Sequence, residues 1–139
     1  MGFLLTTKYV KDILTPCAEG NWSPLLNALD PEVHWMVVDP ERNPLSQAGV
    51  YNVESWKRDL MTPFLEHLQG PVHMVVDELD VIGNKAIFEA RGWQTQKNGR
   101  PYRNTYCWIL IFSEETGKVV TIREYMNSAH TKEIMESAV

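Results

Sequence analysis

A chain of 139 residues and 16.0 kDa, 44% hydrophobic and 22% charged, is the size and mix of one compact domain, expected to span 1–139. Its formal charge of −5 argues against a nucleic-acid partner, because phosphates are met by clustered Lys and Arg, and no apolar run approaches the roughly 18 residues of a membrane span. Cys17 and Cys107 stand far apart with no CxxC, and the four histidines are scattered singly, so the expectation is reduced thiols, no metal site and a cytoplasmic location.

From Phe3 to Ala18, Val10, Ile13, Leu14 and Cys17 fall at helical spacing, with Thr6 or Thr7 available as a cap and Gly20 as the stop. A second short helix is expected over Ser23–Leu29, with Ser23 as N-cap and Pro24 in its first turn. Val33–Val38 reads as a buried strand, closed by the turn-rich stretch Asp39–Pro44. Val53–Leu68 is helical again, with Trp56, Leu60, Phe64 and Leu68 in one stripe and Gly70-Pro71 behind it. The remaining half is β-rich: Val72–Ile82, Lys85–Gln96, Pro101–Phe112 and Val119–Asn127, separated by Gly83-Asn84, Asn98-Gly99 and Glu115-Thr116-Gly117. Three successive hairpins make an antiparallel meander. The order, helices first and strands after, predicts an α+β fold in which about three helices pack over a strongly curved sheet and leave room for a cavity.

Hairpin loops fix register, and register fixes faces. As a two-residue turn, Asn98-Gly99 pairs Trp93 with Asn104, Arg91 with Tyr106 and Glu89 with Trp108. Gly83-Asn84 likewise pairs Glu78 with Glu89 and Met74 with Trp93. Read as a three-residue loop, Glu115-Thr116-Gly117 pairs Trp108 with Glu124 and Tyr106 with Met126. Cross-strand partners share a face, so Glu78, Glu89, Arg91, Trp93, Tyr102, Asn104, Tyr106, Trp108, Glu124 and Met126 are expected together. A four-residue last loop would put Arg123 and Tyr125 where Glu124 and Met126 stand. Large rings interleaved with a few ionisable groups describe the wall of an apolar ligand pocket. The plainer reading is a solvated sheet face on which the charges are ordinary surface groups. His34, on the first strand, is the one histidine near the expected cavity. It reads as a wall or core residue.

The stretch Gly99-Arg100-Pro101-Tyr102-Arg103-Asn104-Thr105-Tyr106-Cys107-Trp108, then Ile122-Arg123-Glu124-Tyr125-Met126-Asn127, resembles the SnoaL-like branch of the nuclear-transport-factor-2-like superfamily. Trp35 and Gln47-Ala48-Gly49-Val50-Tyr51, followed by a helix, fit the same pattern. The resemblance covers nearly the whole chain. It implies an α+β cone, usually a homodimer, with a cofactor-free pocket between sheet and helices, in a superfamily whose members include isomerases, cyclases, dehydratases, epoxide hydrolases and non-catalytic proteins. Tyr9 resembles the oxyanion-hole tyrosine of ketosteroid isomerase, a distant relative, and Asp39 its general base. Polyketide cyclases and the isomerases of fungal meroterpenoid and alkaloid pathways look closer, and the residues equivalent to Tyr106 and Glu124 would line their pocket.

A carboxylate beside Trp108 would be pushed toward its neutral form by desolvation and pulled back by Arg91, the arrangement that tunes a carboxyl for proton transfer near neutral pH. The expected chemistry is acid–base catalysis without a cofactor on a bulky, mostly apolar, polycyclic intermediate of secondary metabolism. Glu124 or Asp39 would be the base, and Arg91, Tyr106 or Tyr9 would stabilise the oxyanion. Hydrolysis or dehydration by the same carboxyl, a non-catalytic small-molecule binder, and a dimerisation module using the second sheet face are the alternatives.

Overall fold

The computed structural model of the protein describes residues 2–43 and 46–137, so Pro44 of the turn expected over 39–44 lies outside the described residues. Helix α1 (Thr7–Leu14) starts where the Thr6 hydroxyl accepts the Tyr9 N–H, and buries Val10, Ile13 and Leu14. It is shorter than the apolar spacing suggests. Pro16 has no N–H to continue the α ladder, so the chain tightens into a 3₁₀ segment, Thr15–Glu19, and turns away at Gly20 with φ of 80°. In α2 (Ser23–Asn27) the cap differs from the expected Ser23: the Asn21 side chain accepts the Ser23 N–H, and Trp22 occupies the cap position.

Strand β1 (Leu29–Val37) is followed by a short β2 (Gly49–Tyr51). The next helix opens on an Asn52–Ser55 capping box as α3 (Val53–Ser55), widens to π-helical geometry over Trp56–Met61, and closes as α4 (Thr62–Leu65). Trp56, Leu60, Phe64 and Leu68 are all buried, as the stripe predicts. Strands β3 (His73–Ile82), β4 (Lys85–Thr95), β5 (Pro101–Phe112) and β6 (Val119–Met126) follow, and then α5 (Ser128–Glu136). The six strands lie in the order β2-β1-β6-β5-β4-β3. The meander is antiparallel as expected, but β1 runs parallel to β6, so the sheet is mixed. The helices cover one face of it, where Val10, Ile13, Leu25, Trp56 and Leu60 pack against Phe88, Trp108, Leu110 and Ile122.

Register decides what that inner face carries. Between β5 and β6 the expected pairs form, with Trp108 opposite Glu124, Tyr106 opposite Met126 and Leu110 opposite Ile122, although the loop is not the expected three-residue one: Phe112 opposes Val119, and an irregularity between Ile111 and Phe112 restores the register. Between β4 and β5 it differs by one residue. Thr95 opposes Pro101, and the intervening loop is closed by Gln96 N–H donating to the Arg100 carbonyl and Gly99 N–H to that of Gln96. Asn98-Gly99 is therefore the tip of a longer loop, and a shift of one residue exchanges the faces of the whole of β4. Ala86, Phe88, Ala90 and Gly92 turn inward, while Glu89, Arg91 and Trp93 turn outward. The inward set is what the core can hold: small residues opposite Tyr106 and Asn104 rather than charges that would need buried partners. In β3 the expected register holds from Glu78 to Ile82. An irregularity at Asp77 then shifts it, so Met74 opposes Gly92 and not Trp93.

Candidate active site

Beneath the π-helical segment the inner sheet face leaves a cavity of ≈ 90 Å³. The sheet contributes Tyr102, Tyr106, Trp108, Glu124 and Met126. The helical segments and loops contribute Trp22, Gln47, Trp56, Leu60, Met61, Phe64, Leu65, Pro71 and Val72, and α5 adds Thr131. Tyr106 fits only because its neighbour on β4 is glycine: a Cβ on Gly92 would stand 2.6 Å from the Tyr106 ring.

Among the described residues of the cavity wall Glu124 is the one ionisable carboxyl, and it is 6% exposed. Trp35 Nε1 donates to its Oε1 at 3.0 Å, and Trp35 in turn is fully buried and stacked on Trp56, with ring centroids 4.3 Å apart. Desolvation pushes the Glu124 carboxyl up to about 7, and the Trp35 hydrogen bond, which favours the ionised form, only partly offsets it. The charge thus changes near neutral pH, with no Lys, Arg or His among the described residues that line the cavity. The Tyr102 and Tyr106 hydroxyls are hydrogen-bonded to each other. Burial raises Tyr102 to about 12 and Tyr106 well above the ordinary range, with Glu124 adding to both shifts. Burial therefore favours the neutral form of both phenols. Tyr102 is clamped between Phe64, edge-on, and the parallel ring of His130 on α5. Gln47 holds the wall of the helix: its side-chain amide donates to the Leu60 carbonyl at 2.9 Å, and its backbone carbonyl accepts the Tyr51 hydroxyl.

Of the residues singled out by sequence, Glu124, Tyr106, Tyr102, Trp108 and Met126 meet at this cavity. Asn104 is buried on the same face but is consumed in anchoring α5: its side chain donates to the Asn127 carbonyl and accepts the Asn127 N–H. The others stand elsewhere. The β4 register places Glu89, Arg91 and Trp93 outside, where Arg91 makes a two-point ion pair with Asp77 and Trp93 stacks on His73. Glu78 opposes Glu89 on that same exposed side. His34 points away from the core on β1, between the buried Val33 and Trp35. Asp39 is exposed and spends its carboxylate on the Glu41 N–H. Tyr9 packs between Phe3 and Phe112 with its hydroxyl toward the Gly117 carbonyl, apart from the cavity lining. Missed by sequence were Trp22, Gln47, Met61, Val72 and Thr131, together with the role of Trp56, which helical spacing showed only as a core residue. Among the described residues, no three His, Cys, Asp or Glu side chains converge as metal ligands.

No protein-family model matches the chain, and no curated protein does so at significant similarity. Solved structures do. An NTF2-like protein of unknown function from Burkholderia pseudomallei superposes with a TM-score of 0.71 over 94% of this chain and 96% of that one, at 20% identity. The chain has the NTF2-like fold. Other structures with the NTF2-like fold include one provisionally named a SnoaL-like polyketide cyclase, from Jannaschia sp., at a TM-score of 0.68 and 14% identity, covering 96% of this chain and 94% of that one. A Bacillus subtilis protein provisionally named an isomerase superposes at a TM-score of 0.64 and 14% identity, covering 94% and 92% of the two chains. The cavity of this chain lies where its helices meet the inner face of that NTF2-like sheet, and no helix of the described residues is long and apolar enough to cross a membrane.

Proposed function

We propose that the chain is a cofactor-independent isomerase or cyclase that moves a proton on a mostly apolar, ring-bearing substrate of the polyketide, terpenoid or alkaloid kind. The observation that carries the reading is Glu124: a carboxyl sealed in an aromatic cavity, poised to change charge at about pH 7. A general base works best with a pKa near the working pH. As carboxylate, Glu124 takes a proton from a carbon next to a carbonyl, and the electron pair passes to the carbonyl oxygen. Tyr106, kept neutral by burial and backed by Tyr102, donates a hydrogen bond to that oxygen. The Glu124 acid then returns the proton to another carbon of the conjugated system, which isomerises it. In a cyclase, the enolate carbon would instead attack an electrophilic carbon of the same molecule. The names of two similar structures, a polyketide cyclase and an isomerase, support this class of reaction. At ≈ 90 Å³ the cavity is smaller than the 300–1,000 Å³ or so of drug-sized sites, so a polycyclic substrate displaces rim side chains such as Met61 and Leu65 as it enters.

Proton abstraction can be followed without knowing the natural substrate. With 1-indanone in D₂O, the protein is expected to accelerate exchange of the protons next to the carbonyl, and Glu124→Gln to abolish that acceleration while circular dichroism stays unchanged. Equal exchange by the folded variant would overturn the assignment of the base.

A further inference from the structure

Four tryptophans gather around the cavity: Trp22 and Trp35 each lie beside both Trp56 and Trp108, with ring centroids between 4.3 and 6.5 Å apart. Two of the four have their N–H groups engaged. Trp22 Nε1 donates to the Val72 carbonyl at 2.8 Å, and Trp35 Nε1 donates to Glu124. The Nε1–H groups of Trp56 and Trp108 are buried, yet no acceptor of the described residues takes up either one. Buried indole N–H groups usually find a partner, and two orphans on side chains that line one cavity call for a common explanation. Their placement is held firmly: Trp108 is packed against Phe88, and Trp56 sits at the first position of the π-helical segment, a deviation that often marks functional sites.

An indole nitrogen only donates, so the complementary ligand group is an acceptor. The acceptor is neutral, because among the described residues the cavity lining holds no Lys, Arg or His and already contains Glu124, so an anion there would be both desolvated and repelled. Of the other polar groups of the wall, the Gln47 amide is committed to Leu60 and the Thr131 hydroxyl to Asn127 and Met126, while the Tyr102–Tyr106 pair uses one of its two protons internally and keeps one for the reacting oxygen. We propose that Trp56 and Trp108 are the specificity-determining donors of the site, and that they select substrates bearing a ring carbonyl oxygen over hydrocarbons and carboxylates of the same shape. This rests on the cavity being the substrate site, and it adds the class of functional group that is recognised.

The test compares 1-indanone with indane, which differ by the carbonyl alone, in ligand-observed NMR titrations. The wild type is expected to bind the ketone more tightly. Trp56→Phe and Trp108→Phe, which keep an aromatic ring and delete the donor, are each expected to reduce that preference about three- to tenfold, the worth of one neutral hydrogen bond. A second measurement needs no variant: the indole ¹H–¹⁵N signals of Trp56 and Trp108 in the wild type should shift with 1-indanone and stay in place with indane. Equal binding of the two compounds, a preference unchanged in both variants, or indole signals that ignore the ketone would overturn the assignment. Exchange catalysed through Glu124, read separately, would survive each of those results.

Discussion

Replacing Glu124 by Gln keeps the shape of the side chain and an oxygen to accept the Trp35 N–H, but removes the titration, which makes stability the cleanest report on the buried carboxyl. Burial raises its pKa from an ordinary 4.5 to about 7. Between those values the native state binds more protons than the unfolded chain, so the stability contributed by the neutral acid is fully present below about pH 4.5. It declines as pH rises and is gone above about 7. A difference of about 2.5 units at 1.36 kcal/mol per unit amounts to roughly 3 kcal/mol. In urea unfolding at pH 5, 6, 7 and 8, the wild type should lose about three-quarters of that, roughly 2–3 kcal/mol, relative to Glu124→Gln across the series, because pH 5 already lies above the unfolded value and all other titrating groups are common to both proteins and cancel. A difference between the two that stays constant within about 0.5 kcal/mol from pH 5 to 8 would refute the claim that Glu124 is buried and neutral in the acid range.

Three further outcomes follow from the geometry. Gly92→Ala forces a methyl group to 2.6 Å from the Tyr106 ring and should destabilise the protein by about 1–3 kcal/mol in the same urea assay, with loss of ketone exchange as Tyr106 is displaced. Trp35→Phe removes the one hydrogen bond that favours the Glu124 carboxylate, so the pH midpoint of exchange should move upward. Arg91→Met breaks an ion pair that is exposed on both sides, so neither the urea midpoint nor the exchange rate should change measurably.

In the last hairpin the pairs that carry Glu124, Tyr106 and Trp108 to a common face were legible, but the three-residue loop they were read from was not what formed: Phe112 opposes Val119, Ser113 N–H bonds to the Lys118 carbonyl, and an irregularity between Ile111 and Phe112 restores the expected pairing. The same reasoning misplaced Arg91 and Glu89. Asn98-Gly99 is a strong two-residue turn signal, but the ends of β4 and β5 are also claimed by the chain leaving α4: Lys97 N–H bonds to the His67 carbonyl, Gln69 N–H to that of Thr95, and Leu68 bridges Gln96. Contacts from nearly thirty residues away outweighed the local preference and turned β4 over. The parallel pairing of β1 with β6 was equally invisible, since Trp35 and Ile122 meet across most of the chain. Helix α5 was missed because Ser128–Glu136 buries only Thr131 and Ile134, too thin a stripe to show as periodicity. Trp56 was legible as buried and illegible as part of a site. Helical spacing reports which residues turn inward, and only the placed neighbours show which of their polar atoms go unmatched.

The pH dependence of 1-indanone exchange tests the central claim most directly. With the Glu124→Gln background subtracted, the rate should rise as the carboxyl ionises, with a midpoint near 7, and level off above it. A midpoint near 4.5, or a subtracted rate that stays at zero throughout, would contradict it.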